Sequence, residues 1–404
     1  RIPLTRSPTI RHADALEMNW ADMLEPERCD YVFGNPPFVG HQNRGKDQVA
    51  GMHRVWGREG QVNRLDYVTC WFKKAAEYYK DKPDARFAFV STNSITQGEQ
   101  AGILWPHLFQ AGYYIFFAHR TFQWNSEARG TAAVHCVIIG LCREEPKTCH
   151  IYEYEDVRGE PEMTEVPRIN GYLVNGPQWS LPARGKPQEG QLPMHKGSQP
   201  TDGARLKLPE GRYQKFSNLI LEPEDAERLK TLCPIAEGWL RPYVGGDELI
   251  SGNWRYCLWL KDVPPQDLKK CPEVIERIQR VRKGRLQSPT KSVREYADYP
   301  TLFTQDRQPH TDYVAIPEVS SSVRDYIPMT LLSNTVVASN KLMILPGAAL
   351  CDFALLTSRV HMAWMRTVSG RLKNDYSYSP AVWFTFPLPE GDLSRLAPKA
   401  QAVL

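Results

Sequence analysis

The stretch Asp30-Tyr31-Val32-Phe33-Gly34-Asn35-Pro36-Pro37-Phe38 constrains this chain more than any other. Its first half reads as a short buried strand. Two successive prolines then stop that strand, because each fixes φ near about −65° and lacks a backbone donor. The residue before a proline is pushed toward extended backbone, so Asn35 leaves the strand into a stiffened turn. Carbonyls in such a turn lack local partners.

Around this feature, residues 1–142 alternate between strand and helix patterns. His12 to Leu16 reads as a strand end. Leu65 to Tyr79 spaces Val68, Phe72, Ala75 and Tyr79 at helical intervals. Arg86 to Ser91, Tyr114 to Ala118 and Ala132 to Leu141 are apolar strands, with a helix over Gln97 to Ala111. The alternation predicts an α/β fold with a mostly parallel, doubly wound (Rossmann-like) sheet, binding ligands at the strand carboxyl ends. The texture then changes to proline, glycine and charge. We expect a connection over 143–186, an α+β domain over 187–386, and the start of a further segment at 387–404. In the second domain, a strand at Tyr256 to Leu260, a basic helix at 273–285 and an apolar helix at 352–367 stand out.

Aromatic residues are abundant (11 Trp, 18 Tyr, 14 Phe). They serve core packing, or present ring faces to flat ligands. The net charge of +4 is too small to announce a polyanionic partner, so local clusters of cations carry that question. Nine cysteines fall in no C-x-x-C pair or His/Cys cluster, which favours free thiols over disulfides or a zinc site. No metal is expected. Neither a signal peptide nor an apolar run of membrane-spanning length is visible, so we expect a cytoplasmic protein without membrane contact.

The chemistry that Asn35-Pro36-Pro37-Phe38 suits is methylation of an aromatic amine. Such an amine is a poor nucleophile because its lone pair is delocalised into the ring. Two acceptors for its hydrogens, the Asn35 side-chain amide oxygen and the Pro36 carbonyl, favour tetrahedral geometry and the developing positive charge. Phe38 would stack on a base rotated out of its duplex. In isolation the tetrapeptide also serves as a plain turn between strand and loop. Its place after an apolar strand in an α/β stretch favours the catalytic reading.

Asp30 to Phe38, with His12 to Leu16 before it, resembles the signature of adenine-N6 DNA methyltransferases. Several longer blocks resemble the MmeI-type (type IIL) restriction–modification enzymes, single chains joining nuclease, methyltransferase and target recognition. The blocks are Phe33 to Gly40, Gly130 to Ile138, Lys186-Pro187, Pro200 to Gly203, His361 to Arg366 and Gly370 to Tyr376. The resemblance implies a methyltransferase domain followed by a target-recognition domain, with S-adenosylmethionine as cofactor and double-stranded DNA as partner. It implies that Asp14 meets the adenine moiety of the cofactor, although an aspartate there equally caps a turn or helix. It also implies that Phe122 or Trp124, with Trp124 preferred, offers a second ring to the flipped adenine.

That family binds its cofactor partly through a glycine-rich loop ahead of Asp14, which does not occur in this sequence. We therefore expect an N-terminally truncated chain. Half of its cofactor pocket and a linked nuclease would lie in the missing part of the polypeptide, leaving an incomplete catalyst.

Two regions suit DNA. Arg277, Arg280, Lys283 and Arg285 belong to a basic stripe fit for phosphate contacts, or for a solvated helix face. Arg371, Lys373 and Asp375 share one face of an extended segment and suit base-edge readout, or simple solvation. Alternative readings are a non-catalytic DNA-recognition subunit of a restriction–modification complex, and an amino-methyltransferase acting on RNA or protein amides.

Overall fold

Tyr31–Gly34 forms strand β1 and pairs in parallel with Arg86–Thr92, β2, in a register that sets Gly34 beside Phe89. The strands Tyr114–Trp124 (β3), Val134–Cys142 (β4), Cys149–Glu153 (β5) and Glu162–Val166 (β6) complete a six-stranded sheet. Its order is β1-β2-β4-β3-β5-β6. The computed structural model describes residues 8–58, 60–124, 134–182, 184–207, 213–372 and 374–402.

The pairings make β1, β2, β3 and β5 co-directional, while β4 and β6 run against them. The expected mostly parallel sheet is thus a mixed one. A parallel return after β3 would need a crossover of about a dozen residues or more, and 125–133 is too short for that. Strand β4 accordingly comes back antiparallel and inserts between β2 and β3. The close fit there depends on Gly140, which lies opposite Phe117 in the ladder. A methyl group on Gly140 would fall 2.1 Å from the Phe117 ring.

Lys46–Trp56 forms α1, which the sequence reading does not predict, while Thr69–Tyr78 (α2) and Gly98–Gln110 (α3) fall within the two predicted helices. Phe72 of α2 is fully buried and meets Phe89 of β2 edge-on at 5.2 Å and Trp105 of α3 at 6.4 Å. These rings seal helices to sheet. Two expectations fail in this region. His12 to Leu16 is no strand; residues 15–17 form a turn. The segment 143–186, read as a connection, instead supplies β5 and β6.

The chain divides into two compact units, residues 1–183 and 184–404. The second unit contains two four-stranded sheets, a three-stranded sheet and a two-stranded ribbon among the described residues. The basic segment is the helix Pro272–Leu286. The apolar helix expected over 352–367 is two helices, Leu350–Leu356 and Arg359–Val368. Ser358 divides them: its backbone is extended, and its hydroxyl accepts from His361 N–H at 3.1 Å as an N-cap. Residues after 386 do not start a separate body, since Ala397–Gln401 packs on Leu350–Leu356. No described helix is long and apolar enough to cross a membrane.

Candidate active site and nucleic-acid interface

Asn35 directly follows the last residue of β1, at the carboxyl end shared by β1, β2 and β3. Its side chain is exposed, Pro36 is buried, Pro37 is exposed and Phe38 is half-buried. The buried proline roots the turn and the Asn35 side chain is left exposed. Asn35, Pro36 and Pro37 line a pocket of about 490 Å³ whose other walls include Trp20, Trp71 and Tyr78.

The segment entering the strand is tightly held. Lys82 donates to the Cys29 carbonyl at 2.8 Å, and the Tyr79 hydroxyl donates to the same oxygen at 3.1 Å. Tyr78 donates to the Leu24 carbonyl at 2.7 Å, and burial pushes its hydroxyl pKa upward. Trp20 donates its indole N–H to the Ala15 carbonyl at 2.8 Å and meets Tyr78 edge-on at 5.9 Å.

Asp14 lies just before this wall, since its neighbour Ala15 lines the pocket. Its Oδ1 accepts the Leu16 N–H at 2.8 Å, and its own carbonyl accepts from Glu17 and Met18. The local role of Asp14 is therefore to close a turn. Lys74 of α2 pins that turn by donating to the carbonyls of Leu16 at 3.2 Å and Met18 at 2.7 Å. An apolar, ring-lined pocket beside an exposed carboxylate fits the adenosyl part of a cofactor such as S-adenosylmethionine. Among the described residues, no group of three or more His, Cys, Asp or Glu could hold a metal ion.

Phe122 stands at the same end of the sheet. It pairs with Cys136, which pairs with Thr92 of β2. Strand β3 is three strands from β1, about 14 Å at ordinary strand spacing. Phe122 is half-buried and packs at 5.4 Å against Tyr154. Beside it His119 stacks on Tyr152 at 4.2 Å and bonds the Tyr154 hydroxyl at 2.8 Å, and burial lowers its pKa. Trp124 ends β3, and its side chain lies outside the described residues.

The basic stripe separates into three kinds of cation. Arg285 is buried and spends its guanidinium on five carbonyls, those of Pro200, Thr201, Tyr296, Tyr299 and Leu302. It cannot meet a phosphate, which corrects the expectation. Burial lowers its pKa, the cost of placing a cation there. Arg277 is mostly covered, donating to the Asn218 carbonyl at 3.3 Å and pairing with Glu273 at 3.4 Å. Arg280, Arg282 and Lys283 are exposed, with Arg280 paired to Glu276 and Arg282 to Asp298.

Arg371 and Asp375 do not share a face. Gly370–Leu372 and Asp375–Ser377 form an antiparallel hairpin in which Arg371 opposes Tyr376 and Leu372 opposes Asp375. Opposed residues project to one side and chain neighbours to opposite sides, so Arg371 and Asp375 point apart. Arg371 lies 4.2 Å over the Tyr376 ring and donates to the Asn374 carbonyl at 2.8 Å. Asp375 accepts from Ser322 N–H at 3.2 Å. Lys373 lies outside the described residues.

Sequence reasoning passed over two buried carboxylates. Asp66 gathers four donors behind the Asn35 turn. Asp202, with one oxygen accepting from Ser217, Asn218 and Leu219, closes the loop that Arg285 fastens. Pro200 to Gly203 is one of the family-like blocks, but no local pattern shows that its partners lie near 217 and 285.

A family model described as the MmeI DNA-methyltransferase domain matches residues 1–153, and the MmeI target recognition domain matches residues 175–390. DNA methyltransferase A of Bacillus subtilis (strain 168) is 34% identical over 407 residues, covering 100% of this chain and 44% of that protein. The solved Type IIL restriction-modification enzyme MmeI, in complex with DNA, matches with a TM-score of 0.87 at 40% identity. That match covers 100% of this chain and 52% of the other. The chain thus spans about half the length of these relatives. A strand-end Asn-Pro-Pro-Phe turn, the sheet that carries it and both family matches lead to one assignment: the chain belongs to the MmeI family, as a DNA-methyltransferase domain followed by a target recognition domain.

Proposed function

We propose that the protein is a site-specific adenine-N6 DNA methyltransferase of a restriction–modification system. The observation that carries this reading is the outward Asn35 at the end of β1, on a turn rooted by buried Pro36 and beside a ring-lined pocket. The Asn35 amide oxygen and the Pro36 carbonyl accept the two hydrogens of the target amine, raising its nucleophilicity as positive charge develops. Phe38 stacks on the extruded base, and Phe122 or Trp124 offers a second ring from the end of β3. S-adenosylmethionine, when bound, supplies an activated methyl group on a sulfonium. Asp14 and the pocket wall after it hold the adenosyl part.

The second unit selects the DNA. Arg280 and Lys283 contact phosphates without reading sequence. The hairpin around Lys373 and Asp375 reads base edges, a lysine toward guanine and a carboxylate toward cytosine. Arg371, stacked on Tyr376, shapes that hairpin. The MmeI relative was solved with DNA, which supports DNA as the substrate. The test is transfer of labelled methyl groups from S-adenosylmethionine to unmethylated duplex DNA, followed by nucleoside analysis. Label in N6-methyladenine is the expected result; label in a cytosine derivative, in RNA or in protein would overturn the reading.

A further inference from the structure

Asp66 is 4% exposed and lies between the Asn35 turn and the end of β2. Its Oδ1 accepts from the His41 N–H at 3.3 Å and from Gln100 Nε2 at 3.1 Å. Its Oδ2 accepts from the Thr92 hydroxyl at 2.8 Å and from the Ser94 hydroxyl. Gln100 closes the circuit by accepting the Asp66 N–H at 2.9 Å, and the next residue, Tyr67, donates its N–H to the Val39 carbonyl at 3.0 Å. Residues 39 and 41, directly beyond Phe38, are thus fastened to residues 66 and 67. Arg44 holds the same loop from its other side, donating Nε to the His41 carbonyl at 3.3 Å.

Burying a carboxylate is costly unless its lone pairs are filled, and here four donors fill them. The four donors are neutral, and the Arg44 guanidinium lies close enough to act on Asp66 electrostatically. The donors come from the loop after the Asn35 turn, the end of β2, the single turn Asn93–Thr96 after it, and helix α3. Two of the donors, Thr92 and Ser94, flank Asn93, whose Nδ2 is buried without a hydrogen-bond partner among the described residues.

We propose that Asp66 is a positioning residue for methyl transfer: it locks the loop carrying Phe38 to the carboxyl end of β2, and so fixes Asn35 and Phe38 relative to each other. The inference rests on the adenine-N6 reading of the site. Asp66 itself touches neither base nor cofactor, and acts by preventing movement of the acceptor turn. Displacements on the order of 1 Å in such a turn cost up to about a hundredfold in rate.

The experiment compares Asp66→Ala and Asp66→Asn in the protein expressed from its native gene. It measures single-turnover methyl transfer to duplex DNA, S-adenosylmethionine affinity, melting temperature and amide hydrogen exchange of the peptide spanning 38–44. Asp66→Ala is expected to slow transfer by about tenfold or more. Cofactor affinity should be unchanged, and exchange at residues 39–41 faster. Asp66→Asn retains an oxygen for His41 and Gln100, and should recover most of both rate and protection. If Asp66→Ala does not fold, Thr92→Val, which removes one donor to Oδ2, must slow transfer and loosen the same peptide.

Wild-type rate in Asp66→Ala overturns the inference, as does a rate loss that only follows the loss of folded protein. An inactive Asn35→Ala beside a fully active Asp66→Ala would leave the adenine-N6 reading standing and remove only the clamp. Wild-type protein that makes no N6-methyladenine would remove the reading itself.

Discussion

Arg285 donates Nη2 to the Pro200 carbonyl at 2.8 Å, tying the helix Pro272–Leu286 to a loop 85 residues earlier in the chain. The same guanidinium reaches four more carbonyls, so this cation is a structural pin inside the recognition domain. Arg285→Met leaves those oxygens buried and unpaired, and should lower unfolding free energy by about 3 kcal/mol or more. Urea denaturation followed by Trp fluorescence checks this. Lys283→Ala, two residues away and exposed, should leave stability unchanged and reduce the salt dependence of DNA affinity by about one ion. Equal stability of the Arg285→Met protein would contradict the assignment.

Asp375 and Arg371 point to opposite sides of their hairpin, so their substitutions should act differently. Asp375→Asn is expected to change which DNA sites are methylated, because it replaces an acceptor with a group that both donates and accepts. Arg371→Ala loses its stacking on buried Tyr376, a partly covered cation–π contact of about 0.5–2 kcal/mol. It should loosen the hairpin and weaken methylation at the original site without creating a new one. Sequencing of methylated positions in host DNA distinguishes the two outcomes.

His361 gives the recognition domain a pH-dependent stability. It is fully buried, bonds the Tyr378 hydroxyl through Nε2 at 2.9 Å, and burial pushes its pKa down from 6.5 to about 4. The unfolded chain therefore takes up a proton that the folded chain refuses. The stabilisation is fully present above pH 6.5 and is lost as pH falls from there toward 4, amounting to about 3 kcal/mol. Denaturation series at pH 7, 5.5 and 4.5 should show this slope. His361→Phe should be less stable at pH 7, having lost the Tyr378 bond, and should flatten the slope.

Some local signals in the sequence are those the fold obeys, although the strand at Tyr31 to Gly34, read as buried, exposes Tyr31 and Phe33. Helical spacing placed Phe72 on the inner face of α2, and the prolines ended β1 where they stand. Hidden from the sequence were relationships set by long-range pairing. The reversed β4 depends on a short connection and on Gly140 accepting the Phe117 ring. Arg285 read as one cation among several because charge says nothing about which side of a helix meets the core. The apolar helix expected over 352–367 contains the polar step Thr357-Ser358-Arg359, where the extended backbone of Ser358 makes two helices of one. Asp66 bears no mark in its own neighbourhood, since its partners come from positions 41, 92, 94 and 100.

The most direct test of the central claim is the Asn35→Ala substitution, read by modification-sensitive sequencing of DNA from a host expressing the protein from its native gene. The account predicts N6-methyladenine at one defined sequence in the wild-type host, and none above background with Asn35→Ala, while the variant keeps its melting temperature. N6-methyladenine persisting at that sequence in the Asn35→Ala host would contradict it.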